Sequence, residues 1–225
     1  IIFSLKHTPS FSFTLMTQKI LYLASKSPRR LQLLKEICKE LDIVVRKFDE
    51  KNLKSMKDVE KIGNEETPIK YVTRVAMDKA IFSTNKLIKT TEGIKPIICG
   101  DTIVCLGDKI FLKPRSRSNV VEMLTQLSNQ QHKVITSIVL STPNPKQNNS
   151  FIFHQITSTT SVWFSEIPRS WIIEYSKTDE PTDKSGSYGI QGRASIFIKK
   201  ISGSYSSVVG LPIHETYLLL SKHLF

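Results

Sequence analysis

Cysteine is scarce in this chain: Cys38, Cys99 and Cys105 are the whole set, odd in number and without a CxxC pair. That excludes a disulfide framework and a structural zinc site, and points to reduced, buried thiols in a cytoplasmic protein. The five histidines are scattered as well, and there is no HExxH, no Walker A loop and no GxSxG elbow. The zinc protease, P-loop and serine hydrolase readings are thereby removed. No apolar run approaches the length of a membrane span, so no membrane partner is expected. Blocks of like charge are missing too, although 32 Lys and Arg against 20 Asp and Glu give a formal charge of +12. The excess admits acidic partners (nucleotides, nucleic acid or an anionic surface) without choosing among them, and solvated faces account for most of it.

Glycine is rare, with nine in 225 residues, yet three of them fall within residues 186–192. Such local density implies backbone that turns sharply or lies close to a ligand. The hydrophobic fraction of 40% and the regular spacing of apolar runs argue for a globular α/β fold, one substantial domain or two small lobes sharing a core. Residues 1–18 are read as a loosely held N-terminal extension, since Lys6, His7 and Pro9 break the apolar core that a secretory signal needs. Residues 19–225 are read as the folded domain.

The domain opens with an apolar run, Ile20 to Leu23, a polar turn, Ser25-Lys26-Ser27, and a helix with Pro28 at its first position and Leu31, Leu34 and Ile37 as its stripe. Backbone N–H groups and the positive end of the helix dipole then lie beside Lys26, Arg29 and Arg30, an arrangement suited to a phosphate. Asp42 to Phe48 reads as a strand and residues 51–66 as a polar loop. Thr67-Pro68 opens a long helix in which Lys79 falls beside the apolar positions, a candidate to point its ammonium into a polar pocket. Pro96 to Leu106 is the most hydrophobic run and reads as a central strand, and Asp101 sits in its middle. A carboxylate there is expensive unless paired or metal-bound, which favours a functional role.

Gly107-Asp108 reads as a hairpin turn, returning through Lys109 to Pro114 with Lys113 at the end. A helix capped by Ser116 or Ser118 follows, then a long hairpin from residues 132–141 and 150–164, a helix beginning at Pro168, the glycine-dense loop Asp183 to Arg193, a strand from Ala194 to Ile201 and a closing helix from Pro212 to Leu220.

Leu23-Ala-Ser-Lys-Ser-Pro-Arg-Arg30, Phe48-Asp-Glu50, Gly100-Asp-Thr-Ile-Val104, Lys113-Pro114, Asp183-Lys-Ser-Gly-Ser-Tyr-Gly-Ile-Gln-Gly192 and Gly203-Ser-Tyr-Ser-Ser-Val-Val-Gly-Leu-Pro212 occur in this order. Together they resemble the Maf family of nucleotide pyrophosphatases. The resemblance implies an α/β fold related to the inosine triphosphate pyrophosphatases, a long mixed β-sheet flanked by helices with two lobes around a cleft, commonly homodimeric. It implies hydrolysis of a nucleoside triphosphate to monophosphate and diphosphate with Mg²⁺ or Mn²⁺. By match to the motifs, Asp101 would activate water and share in holding the metal with Glu50. Ser25, Arg30, Lys79 and Lys113 would contact the phosphates, and Arg29, Thr102 and Gln191 would set base preference, resembling the branch acting on dTTP and UTP.

Gly100 stands where many family members carry alanine, and exchange between two such small residues is expected to be neutral. The alternatives kept beside the dTTP/UTP reading are a pyrophosphatase for 7-methyl-GTP or other modified nucleotides, and a non-catalytic nucleotide- or nucleic-acid-binding regulator of cell division. Nucleic acid is not the expected partner, because Glu50 and Asp101 would serve no purpose in a phosphate-binding groove without a metal.

Overall fold

The apolar run at the start of the domain forms β1 (Lys19–Ala24), whose four residues Leu21 to Ala24 are buried. It turns at Ser25 into α1 (Pro28–Glu40), where the Ser27 side chain caps the helix by accepting from the Arg30 N–H at 3.2 Å. The chain is described by a computed structural model covering residues 19–48, 59–90 and 93–225. The extension expected over residues 1–18 and the expected metal ligand Glu50 lie outside the described residues. After α1 come β2 (Ile43–Lys47), α2 (Pro68–Leu87), β3 (Ile97–Leu106), β4 (Lys109–Phe111), α3 (Arg117–Leu127), β5 (Gln131–Pro143), β6 (Phe151–Phe164), α4 (Arg169–Ser176), β7 (Ile198–Ser202), α5 (Tyr205–Val209) and α6 (Ile213–Leu224).

The seven strands make one mixed sheet in the order β2-β1-β3-β5-β6-β7, with β4 also paired to β3. β1 runs parallel to both β2 and β3, and the β3–β5, β5–β6 and β3–β4 pairs are antiparallel. Because side chains alternate along a strand, β3 serves two cores. Ile97, Cys99, Ile103 and Cys105 face α2, which buries Tyr71, Val72, Val75, Ala76 and Ala80 against them. Ile98 packs on the opposite side with Leu34 and Ile37 of α1 and with Leu219 and Leu220 of α6. Val104, further along that same side, packs instead with Leu124 of α3, Ile172 and Tyr175 of α4, and Tyr188. That side therefore carries two separate apolar clusters, and each buried leucine in them stabilises the fold by roughly 1.5–3 kcal/mol.

One expected strand starts late. Residues 193–197 form a 3₁₀ stretch, and extended structure begins only at Ile198. The carboxylate of Glu180 accepts from the Arg193 N–H at 2.9 Å, and the Ser195 N–H reaches the Gly192 carbonyl at 3.0 Å. These local bonds hold the segment in turns in place of the extended structure that follows it. Among the described residues, no helix is long and apolar enough to cross a membrane.

Candidate active site

Strand pairing leaves a gap in the sheet. β1 pairs with β3 only as far as Ala24 opposite Cys99, and β4 pairs with the same edge of β3 only from Val104 onward. Gly100, Asp101, Thr102 and Ile103 consequently have no strand beside them on that edge among the described residues. Ser25 follows the end of β1 into the gap from one side, and Lys113 follows β4 from the other. A cavity of about 850 Å³ opens here, lined by Ser25, Arg29, Arg30, Lys79, Asp101, Thr102, Lys113 and Gln191 among others. Every expected site residue within the described chain is thus brought to one place.

Below the gap lies Arg30, only 7% exposed. Its Nε–H donates to the Gly210 carbonyl at 2.8 Å, Nη1 donates to Ser25 Oγ at 2.9 Å and to the Gly100 carbonyl at 3.0 Å, and Nη2 donates to Thr102 Oγ1 at 3.2 Å. Four of the five guanidinium N–H groups are used in this way, which leaves one for a ligand. Ser25 Oγ also accepts from the Ser27 N–H at 3.2 Å, so its own proton is what it can offer. Thr102 is constrained in the opposite sense. Thr136 gives its hydroxyl proton to the Ser207 carbonyl at 2.8 Å, so in the 3.0 Å contact between the two threonines Thr102 must be the donor. With its proton committed and one lone pair facing Arg30, Thr102 can only accept from a ligand.

Asp101 alternates to the α2 side of the sheet, where Lys79 meets it: Nζ lies 2.8 Å from Asp101 Oδ1 and 2.6 Å from Glu60 Oε1. Burial alone would lower the Lys79 ammonium, but Asp101 and Glu60 together hold it above the ordinary lysine value. Burial would likewise raise the Glu60 carboxyl, and Lys79, with Lys113 and Lys26 behind it, holds it below the ordinary glutamate value. Glu60 was not singled out from sequence. It lies in the polar stretch before α2, and nothing in its spacing separates it from Glu65 and Glu66.

The glycine-dense loop closes the far wall. Gly186 has φ +70°, and a Cβ there would meet the Val104 side chain at 2.9 Å, so only glycine fits. Its N–H donates to the Leu112 carbonyl at 3.3 Å and Ser185 Oγ donates to the Thr102 carbonyl at 2.8 Å, which fastens the loop to β3 and to the residue that follows β4. Arg29 reaches Asp183 of the loop at 3.3 Å across the cleft. Gly100 corrects one expectation. A Cβ at this position would overlap Ile138 Cδ1 and come within 2.9 Å of the Ser137 carbonyl, so alanine is not neutral here.

Residues 20–223 match the family described as Maf-like protein. The chain belongs to the Maf family. A dTTP/UTP pyrophosphatase of Aliivibrio fischeri is 37% identical to it over 204 residues, covering 90% of this chain and 97% of that one. A dTTP/UTP pyrophosphatase of Saccharophagus degradans is 40% identical over 200 residues, 89% and 87% of the two chains. The solved Ham1 protein of Staphylococcus aureus shares the fold at a TM-score of 0.51 and 16% identity, over 91% of this chain and 99% of that one.

Among the described residues of this Maf-family chain, no three His, Cys, Asp or Glu side chains cluster as a metal site. A Mg²⁺ or Mn²⁺ ion needs no such cluster when a substrate supplies phosphate oxygens, because one or two carboxylates suffice. Asp101, in the cleft with its side chain 17% exposed, fits that requirement.

Proposed function

We propose that this Maf-family protein hydrolyses dTTP and UTP to the nucleoside monophosphate and diphosphate in the cleft of the β3 gap. The observation that carries the reading is the meeting of Asp101, Lys79, Ser25 and Lys113 at a single break in strand pairing. The names of the relatives at 37% and 40% identity support the substrate and the reaction.

In this reading the Asp101 carboxylate takes a proton from water as its oxygen bonds to phosphorus and the bond to the departing diphosphate breaks. Lys79, bonded to Asp101, orients the carboxylate and supplies a positive charge beside the developing negative one. Ser25 donates its proton to a phosphate oxygen, and Lys113 and the N-terminus of α1 add to the same field. Arg30 works mainly by positioning, since it fixes Ser25, Thr102 and the Gly100 carbonyl at once. Bound at Asp101, with Glu50 as its expected companion, a divalent cation would neutralise phosphate oxygens.

Base preference follows from the direction of hydrogen bonds. Uracil and thymine carry an N3–H donor, where cytosine presents a lone pair, and an acceptor-only Thr102 favours the former. The Gln191 amide has both a donor and an acceptor for the carbonyl edge. A homodimer and a cytoplasmic setting belong to the same reading, the second supported by the free, buried Cys38, Cys99 and Cys105.

The test is diphosphate release from dTTP, UTP, CTP, GTP and 7-methyl-GTP with Mn²⁺, Mg²⁺ or chelator. Selective, metal-dependent cleavage of dTTP and UTP is expected. Cleavage of another base would keep the chemistry and discard the roles of Thr102 and Gln191, and no cleavage by folded protein would end the reading.

A further inference from the structure

We infer that the Glu60 carboxylate stands in the ligand-free cleft where the departing diphosphate of the substrate binds, and competes with it for Lys79. The inference rests on the cleft being the nucleotide site proposed above. Lys79 lies 2.6 Å from this carboxylate, and the charges of Lys113 and Lys26 also favour its ionised form. All three also line the cavity. A cavity lined by three cations is one that an anion fills, and Glu60, in the same lining, is an anion supplied by the chain itself.

The backbone under Glu60 is fixed independently of its side chain. Arg74 Nη1 donates to the Val59 carbonyl at 3.1 Å, the Tyr71 hydroxyl to the Glu60 carbonyl at 2.9 Å and Arg74 Nη2 to the Lys61 carbonyl at 2.9 Å. Glu66 in turn holds Arg74 through bonds of 2.7 and 2.9 Å. Residues 59–61 are therefore clamped to α2, while the Glu60 side chain is 47% exposed and free to swing outward without moving the turn. A role as metal ligand was the other candidate. Loss of a metal ligand weakens cation binding, whereas loss of a competing anion strengthens diphosphate binding, so substitution of Glu60 separates the two roles.

A carboxylate that must be displaced weakens only ligands that need its place. Diphosphate and the far end of a triphosphate pay that penalty, whereas a nucleoside monophosphate, which leaves the place empty, does not. Glu60 would then speed departure of diphosphate after cleavage and discriminate against inorganic anions.

Titration calorimetry of the full chain with inorganic diphosphate and with dTMP, for wild type and Glu60→Gln, tests this. The substitution keeps the shape and removes the charge. Diphosphate should bind roughly tenfold more tightly to the variant, with dTMP changed less than about twofold and KM for dTTP lowered. Glu60→Ala should move in the same direction. Equal diphosphate affinity in wild type and Glu60→Gln would overturn the inference alone. Weaker Mn²⁺ binding by the variant, titrated without nucleotide, together with no gain for diphosphate, would overturn it in favour of a metal ligand. If neither protein binds diphosphate, the inference falls together with the reading of the cleft.

Discussion

The Arg30 Nε–H donates to the Gly210 carbonyl at 2.8 Å, joining residues 180 positions apart at the floor of the cleft. Through its other N–H groups the same guanidinium reaches the end of β1 and two positions of β3. Lysine carries the charge but not the planar fork, and can satisfy only part of this set. Arg30→Lys should destabilise the protein by about 2–4 kcal/mol, read as a lower urea midpoint at unchanged slope. A variant as stable as wild type would show that water replaces the guanidinium without cost, and the floor of the cleft would need another account.

Asp101→Asn tests the proposed chemistry without disturbing the floor, since the amide fills the same volume and Lys79 keeps its bond to Glu60. Loss of a general base lowers kcat by about 10²–10⁴-fold, and that is the expected fall at saturating dTTP. Thermal unfolding should stay near the wild-type temperature. An active Asp101→Asn enzyme would sink the assignment.

Much of this site could be read from residue type and order. Asp101 stood out because a carboxylate interrupts the most apolar run, and Ser27-Pro28 marked a helix N-terminus that the structure confirms as capped. Thr67 announced the next helix correctly, although its side chain makes no capping bond. What stayed hidden depends on contacts between distant segments. The gap is created by where β1 and β4 stop against β3, which is register and not composition. Glu60 reaches the cleft only because Arg74 and Tyr71 bind the carbonyls around it. The late start of β7 follows from Glu180, whose carboxylate reaches the Arg193 N–H across thirteen positions.

Gly100→Ala should reveal how tightly β3 and β5 approach. The added methyl meets Ile138 Cδ1 and the Ser137 carbonyl on the neighbouring strand, and overpacking of this kind costs about 1–3 kcal/mol. Part of the clash is with the tip of a flexible side chain. Ile138→Val in the same chain should therefore recover some of the loss, while the part due to the backbone oxygen remains. Additive losses in a double-mutant cycle would rule out Ile138 as the obstacle.

His132 makes stability depend on acidity. Its ring is 2% exposed, with Nε2 2.7 Å from the Tyr188 hydroxyl and the rings of Phe164 and Tyr188 packed on it at 4.9 and 5.4 Å. Burial pushes the imidazole down to about 4, whereas in an unfolded chain it titrates near 6.5. Between those values the unfolded chain takes up a proton that the folded one refuses, so unfolding becomes easier as pH falls. The contribution is fully present above about pH 6.5 and is lost progressively toward pH 4, to a total of about 3 kcal/mol. Urea midpoints measured from pH 7 to 4.5 should decline in wild type and decline less in His132→Gln, which cannot titrate. An identical slope in both would place the acid sensitivity elsewhere. Because Tyr188 also lines the cavity from the glycine-dense loop, loosening His132 should be felt there before global unfolding. Activity would then fall reversibly with acid at pH values where the far-ultraviolet spectrum is still native.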